Sequence, residues 1–563
     1  MNTNFKSVAS ASPSLTDWNM IQWIKAEKYV KKLRQRIFRA NKLGQTRKVR
    51  KLQRLMLKSK ANLLLSIRRV TQHNKGKRSA GVDGYKVVKP QQRVELYNTM
   101  MQKNIMLHRP KPAKRTYIEK KNGKLRPLGI PTIVDRVYQS MVKNALEPEW
   151  EASFEAISYG FRPKRSILDA AEDIWNKINS KSKKRWVFEG DFKGCFDNLN
   201  HGYILEQVSK FPAKTIISRW LKAGYVDNNV FNVTDAGTPQ GGSISPLLAN
   251  IALHGMEDAL GIKYRSGVLH DKVDGRCGRS MVRYADDFVV FCETKEDAEK
   301  VYADLKPYLA SRGLELSMDK TKITHIDEGF DFLGFNVRMY KSSTTRNGGK
   351  LLIKPSKNSV IKARVRIKEV FQECFGQRVL ILIERLNEVI RGYGNLWRYS
   401  VASKELKSLD YYVRKLITNH LKVLHPKKSS KWRSERYFRK AKHGGNDRWI
   451  LTCPVTEKQV IKFAWFKIKR FTKVYFKNSV DDSTLNKYWM ERDIKEFDST
   501  NVMHRIKLAK VQKYLCPLCK RSLRAEDEAL EVDHKLERSS GGKDQYKNFQ
   551  LVHVSCHIER HSK

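Results

Sequence analysis

The chain has 563 residues, of which 111 are Lys or Arg and 58 are Asp or Glu, so its formal net charge is +53. Hydrophobic residues make up 40% of it, which excludes full-length disorder, and 31 glycines with 16 prolines are too few for a collagen-like chain. This length predicts several domains, and the positive charge favours a polyanionic partner such as nucleic acid.

The first part of the chain predicts basic helices. Apolar residues recur at helical spacing from Trp18 to Leu65, and Lys and Arg fill the positions between them. The N-terminus has no apolar signal-peptide core, and no apolar run approaches the roughly 18 residues of a membrane span. We therefore expect neither secretion nor a membrane partner.

Residues 100–340 predict a mixed α+β fold, because short β-rich runs alternate there with helical patterns. Tyr284-Ala-Asp-Asp287 lies between two of these runs, which predicts a hairpin with Asp286 and Asp287 at its tip. A third carboxylate, Asp191, ends another β-rich run. Neighbouring carboxylates repel each other, so a divalent cation is expected to neutralise them. Asp191 and Asp286 can hold two ions about 3.5–4 Å apart, as in polymerases.

An isolated Asp-Asp pair is usually a solvated turn, but four further motifs accompany this one in chain order. The first, Arg126-Pro-Leu-Gly-Ile-Pro131, is a rigid loop preceded by cations and suits a triphosphate. In the second, Phe196 lies where its ring can exclude a sugar 2′-hydroxyl. A glycine-rich start that allows close backbone approach to a base pair follows. The motifs are Arg126-Pro-Leu-Gly-Ile-Pro131, Phe196-Asp-Asn198, Thr238-Pro-Gln-Gly-Gly242 and Phe332-Leu-Gly-Phe335.

The rest of the chain predicts two kinds of nucleic-acid surface and a metal-bound tail. Residues 355–425 return to basic helices, and residues 426–475 mix basic and aromatic side chains, which suits DNA binding by phosphate contacts and stacking. Near the C-terminus two ligand pairs share one spacing and predict a closed structural zinc site. The four ligands are Cys516, Cys519, His553 and Cys556.

Together with Ser158-Tyr-Gly-Phe-Arg-Pro163, these motifs resemble the reverse transcriptases encoded by group II introns, from about residue 15 to 475. The resemblance implies a right-hand polymerase in which Asp191, Asp286, Asp287 and the Phe192 carbonyl bind two Mg²⁺ ions. It makes Phe196 a steric gate. It also assigns contacts with the nucleotide to Lys114, Lys120, Arg126 and Gln240. Arg115 stays open as a substitute for Lys114.

The tail resembles an HNH endonuclease. Asp533-His534 and then Asn548 lie between the two pairs of zinc ligands, and His557 directly follows the last ligand, Cys556. This resemblance implies that His534 is the general base, that Asn548 holds its loop, and that Asp533 and His557 bind one Mg²⁺. His561 stays open as an alternative ligand to His557. A purely structural zinc finger is the other interpretation of the same residues.

The predicted fold class is multidomain α+β: fingers and palm with an antiparallel sheet and helices, a helical thumb, a basic DNA-binding segment and a small zinc-stapled ββα-metal HNH domain. The predicted domains are an N-terminal RNA-binding extension (1–90), fingers and palm (91–345), thumb or maturase domain (346–425), DNA-binding domain (426–505) and HNH domain (506–563).

The predicted function is that of a mobile-element protein. It assists splicing of its intron RNA, nicks double-stranded target DNA and copies the RNA from the new 3′-hydroxyl with dNTPs. The expected location is the bacterial cytoplasm, with nucleoid association when DNA is bound, and a homodimer is left open. The alternative is a splicing-only maturase, which the intact Asp191, Asp286 and Asp287 argue against.

Overall fold

The structure is a computed structural model, and it describes residues 15–119, 123, 125–238, 241–265, 274, 277–343, 348–442, 446–524 and 529–561. Lys120 and Gln240, two of the predicted nucleotide contacts, lie outside these residues. Within the described ranges, no helix combines the length and the apolar character that crossing a membrane requires.

The helices of the described residues occur along the whole chain and confirm the helical predictions for both ends of the polymerase-like region. They are α1 (Trp23–Lys42), α2 (Thr46–Leu57), α3 (Lys60–Arg68), α4 (Pro90–Met101), α5 (Ile133–Glu151), α6 (Ile167–Ile178), α7 (Cys195–Asn198), α8 (His201–Gln207), α9 (Lys214–Leu221), α10 (Ser245–Ala252), α11 (Met256–Ala259), α12 (Lys295–Ala310), α13 (Lys357–Glu373), α14 (Val379–Trp397), α15 (Ser403–Leu424), α16 (Ser430–Tyr437), α17 (Asn486–Thr500), α18 (Met503–Val511) and α19 (Val554–His561).

The strands are short and form separate sheets. They are β1 (Ala113–Glu119), β2 (Leu125–Ile130), β3 (Trp186–Gly190), β4 (Tyr225–Asp227), β5 (Val230–Asn232), β6 (Ser280–Tyr284), β7 (Asp287–Cys292), β8 (Lys322–His325), β9 (Phe330–Phe332), β10 (Phe335–Lys341), β11 (Gly349–Pro355), β12 (Phe438–Arg439), β13 (Ile450–Leu451), β14 (Leu530–His534) and β15 (Phe549–His553).

The central sheet has the strand order β6-β7-β3-β8, and all of its pairings are antiparallel, as predicted. Strand β7 is apolar at every position from Phe288 to Cys292 because both faces of the sheet are covered. Phe288 and Val290 enter one hydrophobic core, whereas Val289 and Phe291 enter the other. This alternation is the period of two that a strand imposes on its side chains.

The hairpin sheet, with the order β2-β1-β4-β5, contains one parallel pairing. Ala113 pairs with Tyr225 and Lys114 with Val226 in the same direction. The prediction of an antiparallel sheet is therefore wrong for β1 and β4. The physical reason is the long helical connection between them, since only a long crossover allows neighbouring strands to run in parallel.

Three further units surround these sheets. Helices α1–α4 pack on or beside α5 and share the first core with the central sheet. Helices α13–α15 pack with the β9–β11 sheet and share the second core. The C-terminal strands β14 and β15 pair with each other and pack against α18 and α19 around a much smaller core.

An extended segment, residues 466–482, joins these units, and we call it the strap. Lys473 lies 2.5 Å from Asp173 of α6, and the Val474 N–H donates to Asp169 at 2.7 Å. Farther along, Asp481 accepts two hydrogen bonds from Arg34 of α1, at 2.8 and 2.7 Å. The strap therefore connects the N-terminal helices to α6 through buried polar contacts.

Candidate active sites and metal centres

The first candidate site is the turn between β6 and β7. Tyr284 pairs with Asp287, so Ala285 and Asp286 form a two-residue turn, and the predicted hairpin is confirmed. Ala285 has a φ of 58°, a value that few residues other than glycine adopt. The turn consequently projects both carboxylates from the end of a buried sheet.

A buried support fixes this turn. A Cβ on Gly160 would lie 2.4 Å from the Ala285 nitrogen, so only glycine allows this approach of the two backbones. The Asn250 amide donates to the Gly160 carbonyl at 2.9 Å. The wholly buried Arg283 reaches both Asn250 and Glu155 at 3.4 Å. The Ser-Tyr-Gly-Phe-Arg-Pro motif thus contributes Gly160 as a packing partner of the acidic turn.

Asp191 follows β3 directly, and β3 is the neighbour of β7 in the central sheet. Burial removes water from the Asp286 carboxyl and raises its pKa, and the negative charge of Asp191 raises it further. Loss of hydration raises the pKa of Asp287 to about 6, and the neighbouring charges of Asp286 and Asp191 add to this rise. The structure therefore brings three mutually repelling carboxylates together.

The donor set suits hard divalent cations. Three neighbouring carboxylates supply anionic oxygen ligands, which Mg²⁺ prefers, and bound cations would remove their repulsion. A protein cation already lies there, because the Lys320 ammonium is 2.5 Å from an Asp191 oxygen. Sequence reasoning did not assign Lys320 to the site, since nothing in its local sequence marks it as a partner of Asp191.

The backbone after Asp191 is oriented by a bridge to Leu316. The Lys193 N–H donates to the Glu315 carbonyl, and the Ser317 N–H donates to the Asp191 carbonyl. These two bonds use carbonyl groups other than that of Phe192. Among the described residues no hydrogen bond to the Phe192 carbonyl is found, so this oxygen can accept the contact that the predicted metal site requires.

The ring of Phe196 lies 6.0 Å from that of Phe161, in an edge-on arrangement. The Phe196 carbonyl accepts a hydrogen bond from the Thr238 N–H at 2.7 Å. The glycine-rich loop also contacts β2, because a Cβ on Gly241 would lie 2.4 Å from the Gly129 carbonyl oxygen. Four of the predicted motifs, which contain Gly129, Phe161, Phe196 and Gly241, are therefore joined by contacts between their residues.

The strand register distinguishes between the two candidate cations of β1. Lys114 pairs with Ile130, and Arg126 pairs with Ile118, so Lys114 and Arg126 lie on the same face of the hairpin sheet. Arg115 lies on the opposite face, with its guanidinium 3.9 Å from the centre of the Tyr225 ring. Lys114 is therefore the residue of the pair that shares a face with Arg126.

The predicted zinc ligands converge in the tail. Ligand atoms of Cys516, Cys519, His553 and Cys556 all lie within 4.8 Å of one another. His553 is fully buried, with Nδ1 3.3 Å from the Cys519 sulfur and Nε2 3.1 Å from the Ser522 carbonyl. This carbonyl holds the ring so that Nδ1 faces the sulfur atoms. Three sulfurs and one imidazole nitrogen suit a tetrahedral Zn²⁺.

A second cluster joins β14 to α19. One ligand atom each from Asp533, His557 and His561 lies within 4.8 Å of the others. The Nε2 atoms of the two histidines are 3.5 and 3.4 Å from the same Asp533 oxygen. Both histidines approach because positions i and i+4 share a helix face. The two alternatives left open by the sequence are thus both beside Asp533.

Carboxylates lie behind both imidazoles. Glu531 is 2.8 Å from His557 Nδ1, and Glu537 is 3.1 Å from His561 Nδ1. Burial alone would raise the pKa of Asp533, but hydrogen bonds from Gln550 and His561 outweigh it and lower that pKa. An ionised carboxylate and two oriented imidazoles can hold a divalent metal ion.

His534 ends β14, and Asn548 holds the chain that follows it. The Asn548 side chain accepts from the Leu536 N–H at 2.8 Å and donates to the Leu536 carbonyl at 2.9 Å. The predicted contact of Asn548 with the His534 loop is present. His534 Nε2 also lies 2.7 Å from Asp544, a residue that sequence reasoning did not single out.

Family models match four parts of the chain. The N-terminal domain of reverse transcriptase matches residues 18–100, and reverse transcriptase (RNA-dependent DNA polymerase) matches residues 118–337. The group II intron maturase-specific domain matches residues 360–438, and HNH endonuclease matches residues 516–563. The three carboxylates of the central sheet lie within the reverse transcriptase match, and both clusters of the tail lie within the HNH match.

Curated relatives agree. Protein YkfC of Escherichia coli (strain K12) is 35% identical over 314 residues, which cover 50% of this chain and 82% of YkfC. Group II intron-encoded protein LtrA of Lactococcus lactis subsp. cremoris is 34% identical over 331 residues, which cover 48% of this chain and 54% of LtrA. Maturase-like protein 1 of Euglena gracilis is 27% identical, and the match covers 69% of this chain and 78% of that protein. The chain therefore belongs to the family of group II intron-encoded proteins, and it combines a reverse transcriptase, a maturase domain and an HNH DNA endonuclease.

Proposed function

We propose that this protein nicks a DNA target and uses the new 3′-hydroxyl to prime synthesis of DNA on its intron RNA. The observation that carries the proposal is the presence of two complete clusters in one chain. Asp191, Asp286 and Asp287 meet at the end of the central sheet, and Asp533, His557 and His561 meet in the tail. The first suits nucleotidyl transfer and the second suits hydrolysis of a phosphodiester.

In the polymerase site, Asp191, Asp286, Asp287 and the Phe192 carbonyl would hold two Mg²⁺ ions. When bound, these ions lower the pKa of the primer 3′-hydroxyl and neutralise the dNTP phosphates and pyrophosphate. The chain's own contribution is to orient the reactants. The rigid turn supported by Gly160 keeps the carboxylates in place, so the primer end and the nucleotide meet in one geometry.

The proposed nucleotide contacts would act together with these carboxylates. Lys114 and Arg126 share a face of the hairpin sheet and would attract the triphosphate, together with Lys120. Gln240 would lie over the templating base pair. Phe196, held edge-on by Phe161, would exclude a ribose 2′-hydroxyl. The right-hand arrangement follows from this assignment, with the hairpin sheet as fingers, the central sheet as palm and α13–α15 as thumb.

In the nuclease site, Asp533 and His557 would hold one divalent ion, with His561 as a further ligand. His534 would take a proton from the attacking water, and Asn548 would keep its loop in position. The zinc set of Cys516, Cys519, His553 and Cys556 would serve the fold of the tail rather than the reaction, because four protein ligands leave no open position.

The partners follow from the same domains. Intron RNA would lie on the basic helices of the N-terminal extension and of α13–α15, and target DNA on the basic segment that begins at residue 426. RNA binding by the maturase and DNA binding by the nuclease fit the matched domains. A homodimer, nucleoid association and the five domain boundaries remain predictions.

A target-primed assay tests the order of the two reactions. Full-length protein, its intron RNA, a DNA target, Mg²⁺ and dNTPs are combined, and nicking and cDNA synthesis are measured separately. We expect Asp286→Ala to nick the DNA without making cDNA. We expect His534→Ala neither to nick intact DNA nor to make cDNA on it, but to make cDNA on a target that carries a preformed nick. Asp286→Ala should keep the nicking activity, and His534→Ala should keep the extension of a supplied primer.

Two results would contradict the proposal. If His534→Ala starts cDNA at the usual site on intact DNA, the tail does not supply the primer. If folded wild-type protein with its RNA makes no DNA but still accelerates splicing, the splicing-only alternative is correct.

A further inference from the structure

The ring of His534 is held by a carboxylate that lies outside the predicted site. His534 Nε2 is 2.7 Å from Asp544 Oδ1. Asp544 is in turn held by Arg538, whose Nε lies 3.0 Å from Oδ1 and whose Nη2 lies 2.7 Å from Oδ2. Arg538, Asp544 and His534 thus form a chain of charge-assisted hydrogen bonds.

The loop between these residues is folded so that this contact forms. A Cβ on Gly542 would lie 2.0 Å from the Leu536 carbonyl oxygen, so the chain turns back at a position that only glycine allows. Asn548 ties the loop to Leu536 from the other side. Asp544 is therefore brought to His534 by a fixed turn.

Packing limits the remaining freedom of the ring. The centres of the His534 and Phe549 rings are 5.0 Å apart, and the rings meet edge-on at 72°. With Nε2 directed at Asp544, Nδ1 is the nitrogen that can take a proton from water. A carboxylate on one imidazole nitrogen selects the tautomer that carries the proton there and leaves the other nitrogen basic.

We propose that Asp544 is a positioning residue of the nuclease, which acts through His534 and is itself oriented by Arg538. This inference rests on the proposed role of His534 as general base. Asp544 accepts a hydrogen bond from the Nε2–H group and keeps Nδ1 free of a proton. When Nδ1 takes a proton from water, both ring nitrogens carry protons, and the Asp544 carboxylate stabilises the resulting imidazolium. The resulting hydroxide forms a bond to phosphorus while the bond to the 3′-oxygen breaks. The leaving oxygen takes a proton from solvent and becomes the 3′-hydroxyl.

Stability alone does not account for the arrangement. The side chains of Arg538 and Asp544 are 69% and 57% exposed, and ion pairs this exposed contribute little to folding. The third contact of the carboxylate is with the imidazole of His534 rather than with another surface cation. A role in orienting that imidazole explains why the pair lies where it does.

The test is single-turnover cleavage of duplex target DNA by the full-length protein. We expect Asp544→Asn to lower the cleavage rate about 100-fold or more and to leave the DNA concentration for half-saturation within about twofold. Asp544→Ala should lose less than Asp544→Asn, because an asparagine amide can donate to Nε2 and impose the wrong tautomer. Asp544→Glu should restore part of the rate.

A matched control is Asp498→Asn. Asp498 lies just before the nuclease domain and accepts from the Tyr514 hydroxyl at 3.0 Å, and it does not touch His534. This variant should cut at a rate near that of the wild type. Zinc content and primer extension from a supplied primer should be unchanged in every variant, which would show that the chain is folded.

A double-mutant cycle separates a positioning role from a structural one. In a His534→Ala background with added imidazole, Asp544→Asn should have no further effect, because its target is gone. Wild-type cleavage by Asp544→Asn, or an equal loss in both backgrounds, would overturn the inference while leaving His534 as general base. Normal cleavage by His534→Ala would overturn both.

Discussion

The polymerase and nuclease sites are built at different scales. Asp191 and the Asp286–Asp287 pair come from distant parts of the chain and meet because β3 and β7 pair within a sheet covered on both faces. The nuclease cluster comes from two short strands and one helix between residues 529 and 561, beside a small core. A large core fixes the first site, whereas the second needs another source of stability.

This difference explains where the metal ions are needed. In the polymerase region, packing positions the carboxylates, and the bound ions would serve the reaction. In the tail, too little apolar surface is buried to offset the loss of chain entropy, so a metal ion is expected to contribute to folding itself. The two predicted kinds of metal site therefore differ in what their removal should do.

Zinc removal should have the largest effect and should be confined to the tail. Structural zinc contributes on the order of 10–16 kcal/mol to small domains, so Cys516→Ser should unfold this one. DNA nicking should disappear, and limited proteolysis should remove the tail, while extension of a supplied primer continues. Cys277→Ser, outside the cluster, is the control. A zinc-free protein that still nicks DNA would contradict this expectation.

Asp481→Ala should be the most damaging single change in the strap. Asp481 is buried, and among the described residues its removal leaves the Arg34 charge with Glu147, at 2.9 Å, as its remaining acidic partner. Breaking a buried ion pair costs about 3–5 kcal/mol, which thermal or denaturant unfolding would detect. In the neighbouring pair of Lys42 and Asp482 the lysine side chain is 62% exposed, so Lys42→Ala should cost no more than about 1 kcal/mol. Equal losses for the two variants would show that burial does not matter here.

Gly160→Ala should reduce polymerisation without affecting nicking. The added Cβ would displace Ala285 and with it the carboxylates, and a misplacement of about 1 Å can cost about 100-fold in rate. Primer extension and nicking measured on the same preparation would check this. Gly392→Ala is the control, because a Cβ there meets nothing within 4 Å. Normal primer extension by Gly160→Ala would show that the turn does not depend on this contact.

Phe196→Ala should have the smallest effect on synthesis with dNTPs but should change its selectivity. Loss of the ring removes the steric conflict with a 2′-hydroxyl, so preference for dNTPs over ribonucleotides should fall by roughly 10- to 200-fold. Competition between the two nucleotide types in primer extension measures this ratio. An unchanged ratio would remove Phe196 from the role of gate.

Much of both sites was predictable because their motifs are local. Hydrophobic runs around Tyr284-Ala-Asp-Asp287 predicted the hairpin, and equal spacing predicted the four zinc ligands, both of which the structure contains. Lys320 and Asp544 were not predicted to join the sites, because each reaches its partner through folding of the intervening chain. The parallel pairing of β1 and β4 was missed for the same reason.

The sequence by itself determined the classes of residue: acids at strand ends, paired metal ligands, basic helices and the glycines that permit close approach. These follow from periodicity, spacing and charge, which are properties of neighbouring residues. Only the tertiary structure decided which cation shares a face with Arg126, that both His557 and His561 reach Asp533, and that Arg34 is bound to the strap. Contacts between residues that are distant in the chain depend on how helices and strands pack, and the local sequence around one residue does not name the residue that it will contact.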